Sequence, residues 1–149
     1  MQIRTFQTIE APADVVWSIL TDFPGHDDWD PMLCAIRGQC EEGARVRFKL
    51  RFGPAAVPVD AEVIVVAPGR SLRWVGPHAR LPRRAIAGEH YFELTPTGAS
   101  QCRLEHGENF TGALVPNRAD WIATRLRPLY EAFNRRLARE SESRFARAA

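Results

Sequence analysis

Lysine is almost missing from this chain. Lys49 is the single lysine among twenty basic residues, and the rest are arginine. That bias reads as codon usage rather than phosphate recognition. The formal net charge is only +2, too small for the electrostatic footprint of a nucleic-acid-binding protein. Cysteine is scarce too: Cys34, Cys40 and Cys102 form no Cys-x-x-Cys pair. A zinc ribbon and a disulfide framework are thereby excluded, and the thiols read as reduced and structural. No apolar run approaches the ~20 residues of a membrane helix. The first residues, Met-Gln-Ile-Arg-Thr-Phe, lack the apolar core of a secretory leader. The expectation is a cytoplasmic protein without an integral membrane segment. Ser-His-Asp order, Walker loop and Rossmann glycine pattern are all absent, so nothing calls for a nucleotide, a flavin or another cofactor. Nothing in the sequence sets an oligomeric state.

What is present suits one domain over residues 1–149. Hydrophobic residues make up 45% and charged residues 26%, which argues for a full core and against disorder. Charge is uneven: residues 1–44 hold eight acids against two arginines.

Residues 2–10, rich in Ile, Thr and Phe, read as a strand. Pro12 suits the first turn of a helix. Val15, Val16, Ile19 and Leu20 form its apolar stripe, with Trp17 beside it, and Pro24-Gly25 stops it. A further helical turn over Asp27–Trp29 ends before Pro31. In residues 45–52, Arg45, Arg47, Lys49 and Arg51 alternate with Val46, Phe48, Leu50 and Phe52, the pattern of a half-buried antiparallel strand. Val57, Val59, Ala61 and Val63 continue the alternation, and a turn at Pro68-Gly69 leads to a short strand bearing Leu72 and Trp74. Gly76–Arg84 reads as a loop with Arg80, Arg83 and Arg84. Two last strands, 86–94 and 101–110, join at Pro96-Thr97-Gly98. Asn117 is then expected to cap a helix of ~30 residues, about 45 Å long. Its apolar face carries Ile122, Leu126, Leu129, Tyr130, Phe133 and Leu137. Pro128 inside it removes one backbone hydrogen bond, which either bends the helix around the sheet or marks a gate.

Ile9, Ala11-Pro12, Val16-Trp17, Asp22-Phe23 and Trp29-x-Pro31, then Leu72-Arg73-Trp74, Gly88–Leu94 and Leu104-x-His106-x-Glu108-x-Phe110-x-Gly112 together resemble the START-like, or SRPBCC, helix-grip superfamily. Its polyketide cyclase/dehydrase-like branch is the most similar. The resemblance spans nearly the whole chain and departs at His26, where the family often has an aromatic residue. It implies an α+β helix-grip: a curved seven-stranded antiparallel sheet around the C-terminal helix, enclosing a cavity. It further implies a small hydrophobic ligand, whether lipid, isoprenoid or polyketide-like. Two alternatives come with it: a polyketide cyclase/dehydrase-type enzyme, or an interaction protein such as a co-chaperone or toxin-like module.

Alternation places Glu89, Tyr91 and Glu93 outward and His90, Phe92 and Leu94 inward, with Cys102, Leu104, His106, Glu108 and Phe110 inward on the next strand. A hairpin centred on Thr97-Gly98-Ala99 pairs residues whose numbers sum to about 196, setting His90 opposite His106 and Phe92 opposite Leu104. Two imidazoles and a carboxylate on an apolar wall are costly unless bonded. They either satisfy one another and water, or orient a ligand and move protons, so His90, His106 and Glu108 are the acid/base candidates. No helical ligand motif supports a metal there. Trp74, Phe92, Phe110, Tyr130 and Phe133 are expected to line the cavity or pack the core. Trp29 either closes one end of the cavity or anchors its loop. His26, Asp27, Asp28 and Asp30 read as capping and solvation rather than a cation site.

Overall fold

Ile3 and Ile9 lie on the inner face of the first strand and are fully buried, so the β-prone N-terminus has a core to join. The computed structural model describes residues 1–78 and 84–149. Strand β1 (Gln2–Ile9) runs into helices α1 (Ala13–Thr21) and α2 (His26–Trp29). Strands β2 (Leu33–Arg37), β3 (Arg45–Phe52), β4 (Ala55–Ala67), β5 (Ser71–Gly76), β6 (Ala87–Gly98) and β7 (Gln101–Thr111) follow, and helix α3 (Ala119–Ala148) comes last. The seven strands form one antiparallel sheet in the order β1-β7-β6-β5-β4-β3-β2. This is the α+β helix-grip expected from the sequence.

Helix α3 packs across β1 and β7 and against α1. Tyr130, Phe133 and Leu137 of its apolar face share one core with Phe92, Leu72 and Leu104, all fully or almost fully buried, and Phe133 packs on Phe92 at 5.3 Å. Each such side chain contributes roughly 1.5–3 kcal/mol of burial. Asn134 and Ser141 share the buried stripe, a polar intrusion that the apolar pattern did not include. The helix continues unbroken past Pro128, which is on its exposed side. No helix among the described residues is long and apolar enough to cross a membrane.

Several boundaries differ from the sequence expectation. Strand β2 went unread because Leu33–Arg37 is short and irregular, with a bulge at Ala35, whose φ is 53°. Asn117 does not cap α3: Arg118 holds that place, with no side-chain cap bond. The β6–β7 register also differs. His90 faces Glu108, Phe92 faces His106 and Leu94 faces Leu104. The turn is Ala99-Ser100, closed by the Gly98–Gln101 pair, and Thr97 is an unpaired extra residue. The later turn and the bulge together move the register by two positions from the expected one, which leaves every side chain on its expected face. Tyr91 does face outward, yet it is buried there under its neighbours: Gln2 donates to its hydroxyl, which in turn donates to Glu105 at 3.0 Å, and Arg73 lies over its ring. Within the expected loop, Arg84 is exposed, while Arg80 and Arg83 lie outside the described residues.

Candidate functional site

The grip leaves a cavity of about 640 Å³ between the sheet and the N-terminal half of α3. Its wall is mostly apolar, with Leu33, Phe48, Leu50, Phe110, Ile122 and Leu126 among the lining residues. Val57, Phe52 and Trp121 also border it; Trp121 is 53% exposed and packs its ring against Phe52 at 5.9 Å.

Five of the residues singled out from the sequence border this space: Trp74, His90, Glu108, Phe110 and Tyr130. Four do not. Phe92, His106 and Phe133 are fully buried behind the wall, and Trp29 packs on His26 and Phe133 beyond the cavity's reach. Trp29 thus anchors its loop rather than closing an end. His26 and Asp30 are buried as well. Asp30 accepts from His26 Nδ1 at 2.7 Å and from the backbone N–H groups of Met32 and Leu33, while His26 Nε2 reaches the Leu20 carbonyl at 2.8 Å. His26 and Asp30 are therefore a structural latch between α1, α2 and β2, while Asp27 and Asp28 are exposed as expected. Among the described residues, no group of three His, Cys, Asp or Glu side chains is placed to hold a metal ion.

The polar wall is a directed chain. The single hydroxyl hydrogen of Thr5 goes to the His106 carbonyl at 2.7 Å. Thr5 Oγ1 must then accept from Asn134 Nδ2 at 2.8 Å, which turns Asn134 Oδ1 toward His106 Nδ1 at 2.7 Å. His106 therefore carries its proton on Nδ1, and its Nε2 accepts. His90 Nε2, 2.8 Å away, is the donor. His90 Nδ1 then faces Glu108 Oε2 at 3.2 Å, and Tyr130 Oη donates to the same carboxylate oxygen. One proton is held between His90 and Glu108. Trp74 lies almost parallel to the His90 ring, 7° between planes at 5.2 Å.

Burial, together with the neighbouring His90, holds His106 well below the usual histidine range. Burial and the Glu108 carboxylate hold the Tyr130 phenol well above its ordinary value, so it stays a donor. The His106 shift has a signed consequence for stability. Below the ordinary histidine value of 6.5, the unfolded chain takes up a proton that the folded ring refuses. Stability from this group is complete above that pH and is lost as pH falls below it. The thermal midpoint of the wild type should therefore drop more between pH 7 and pH 5 than that of His106→Gln; equal drops would contradict the assignment.

Two residues of the chain were not legible as site residues. Thr5 sits between Ile3 and Ile9 on an inward face, and Asn134 adjoins Phe133 within the apolar stripe of α3. A polar residue at a core position was the available signal. Gly88 is a third: a methyl added there would sit 1.7 Å from Glu108 Oε1, so only glycine lets the carboxylate lie against β6.

Residues 1–142 match the model of a family described as polyketide cyclase / dehydrase and lipid transport. No curated protein matches the sequence. Among solved structures, the Zhui aromatase/cyclase from a Streptomyces species is similar, with a TM-score of 0.78 at 19% identity over 97% of this chain and 94% of that one. A START superfamily protein from Mycobacterium smegmatis reaches 0.75 at 15% identity, covering 99% of both chains. A norcoclaurine synthase point mutant from Thalictrum flavum, in complex with a transition state analogue, reaches 0.73 at 14% identity over 97% and 95%. At these identities the likeness concerns the fold.

Proposed function

This chain belongs to the polyketide cyclase/dehydrase and lipid-transport family, and on that premise we propose that its cavity binds a small, mostly apolar ligand of lipid, isoprenoid or polyketide-like class. The observation that carries this reading is an apolar chamber of about 640 Å³ with a polar cluster, His90, Glu108 and Tyr130, on its wall. Pockets of that size and character suit small ligands, with the few polar groups setting orientation. Trp74 and Phe110 supply aromatic surface beside the cluster. The buried His106, Asn134 and Thr5 support it from behind and do not meet the ligand.

The test is binding of a neutral apolar dye, Nile red, followed by fluorescence. The wild type should bind it, and Leu126→Trp, which fills the chamber from α3, should weaken that binding by roughly tenfold, or ~1.4 kcal/mol. Equal affinity in a folded Leu126→Trp protein would remove the cavity from the account. Native mass spectrometry of freshly purified protein would then name the ligand class.

A second reading has its own support. The proton held between His90 and Glu108 borders the cavity, where a group that gives and takes a proton can serve cyclisation or dehydration of a polyketide-like substrate. In that reading His90 and Glu108 are the acid/base pair, and His106 positions His90.

A further inference from the structure

The hydrogen-bond chain on the cavity wall limits what polar group a ligand can bring. Both His90 nitrogens are occupied, one by His106 and one by Glu108. The Tyr130 hydrogen is spent on Glu108 Oε2. What remains is Glu108 Oε1, which lies against Gly88 and has no hydrogen-bond partner among the described residues. Its character does not depend on where the shared proton sits. With the proton on His90 Nδ1, Glu108 is a carboxylate and Oε1 accepts. With the proton on Glu108 Oε2, Oε1 is the carbonyl oxygen of the acid and still accepts. Asp60 also borders the cavity. Its Oδ2 accepts from Arg45 at 2.5 Å, while its Oδ1 is buried without a partner among the described residues. No lysine or arginine is among the described lining residues.

On the reading that the cavity holds an apolar ligand, we infer that the polar end of that ligand is a hydrogen-bond donor, a hydroxyl, phenol or amine, received by Glu108 Oε1. An anionic end meets a carboxylate oxygen in apolar surroundings and leaves both without a donor, a costly arrangement. Free fatty acids and polyketide carboxylates are therefore excluded at this end, and alcohols, phenols and amines are favoured.

Pyrene-1-methanol, pyrene-1-carboxylate and unsubstituted pyrene share one apolar body and differ only at the polar end. Titrated against the wild-type protein at pH 7, pyrene-1-methanol should bind roughly tenfold or more tightly than the carboxylate, and more tightly than pyrene itself. A carboxylate that binds as well as the alcohol overturns the inference and leaves the cavity-binding reading standing. Failure of all three to bind overturns that reading and the inference with it. Glu108→Gln, whose amide can turn a donor toward the ligand, should cut the alcohol-to-carboxylate preference by at least about threefold, while retention of the full preference removes Glu108 from the role. Gly88→Ala, which displaces the same carboxylate oxygen, is read in the same way and covers the case where Glu108→Gln does not fold.

Discussion

His26→Ala is expected to destabilise the fold by about 3–5 kcal/mol, the range for truncating a fully buried ring to alanine. His26 is 1% exposed and Asp30 is 5% exposed, so water does not replace the lost bonds. Both ring nitrogens are committed inside the core, Nε2 to the Leu20 carbonyl and Nδ1 to Asp30 Oδ2. Alanine leaves the Leu20 carbonyl unpaired and the Asp30 carboxylate with only the Met32 and Leu33 backbone donors. It also removes a ring that packs on Trp29 at 4.7 Å and near Phe133 at 6.3 Å. Urea unfolding at pH 7 measures the effect. A loss below about 1 kcal/mol, the scale of an exposed ion pair, would show that the latch is solvated in solution.

Asn134→Leu should cost about 2–4 kcal/mol, because it strands the buried His106 N–H and removes one of the two hydrogen bonds of Thr5 at nearly constant side-chain volume. The His106 Nδ1 hydrogen loses its acceptor, and Thr5 Oγ1 loses its donor. The apolar replacement suits the buried stripe of α3 that Phe133 and Leu137 share, so packing offsets only part of the loss. The same substitution removes the group that dictates the His106 tautomer. Nitrogen NMR of the wild type should show His106 protonated at Nδ1 and bare at Nε2. In Asn134→Leu that preference should relax toward a mixture. A wild-type ring protonated at Nε2 would reverse the chain and remove the donor role given to His90.

These two sites show where the sequence was readable and where it was not. Alternation along residues 86–94 and 101–110 placed His90, His106 and Glu108 on the inner face, and the structure keeps them there. It did so although the register expected at the hairpin was off by two. Side-chain period in a strand is two, so a two-residue slip changes partners without changing faces. The unpaired Thr97, which with the later turn sets the register, has no sequence signature distinguishing it from an ordinary turn residue. Separating cavity lining from core was beyond alternation. His90 and His106 read alike, yet one borders the chamber and the other is sealed beneath α3. The acidic run at His26–Asp30 looked solvated because consecutive acids usually are; Asp27 and Asp28 are indeed exposed, but His26 and Asp30 are buried. The burial of those two follows from the Leu20 carbonyl and the Met32 and Leu33 amides converging on them, and these come from separate elements.

By itself the sequence determined the element order apart from β2, the inward faces of the other strands and the apolar stripe of the last helix, because each depends on residues within one turn or one pleat of each other. Tertiary structure decided which inward residues meet the cavity, which histidine carries which proton, and that Glu108 presents an acceptor. Those properties come from contacts between β1, β6, β7 and α3, where Thr5, His90, His106, Glu108, Tyr130 and Asn134 are brought within hydrogen-bond distance across as many as 129 positions of chain. A hydrogen bond's direction is set by the donors left over elsewhere in the chain of bonds, and no local pattern records that.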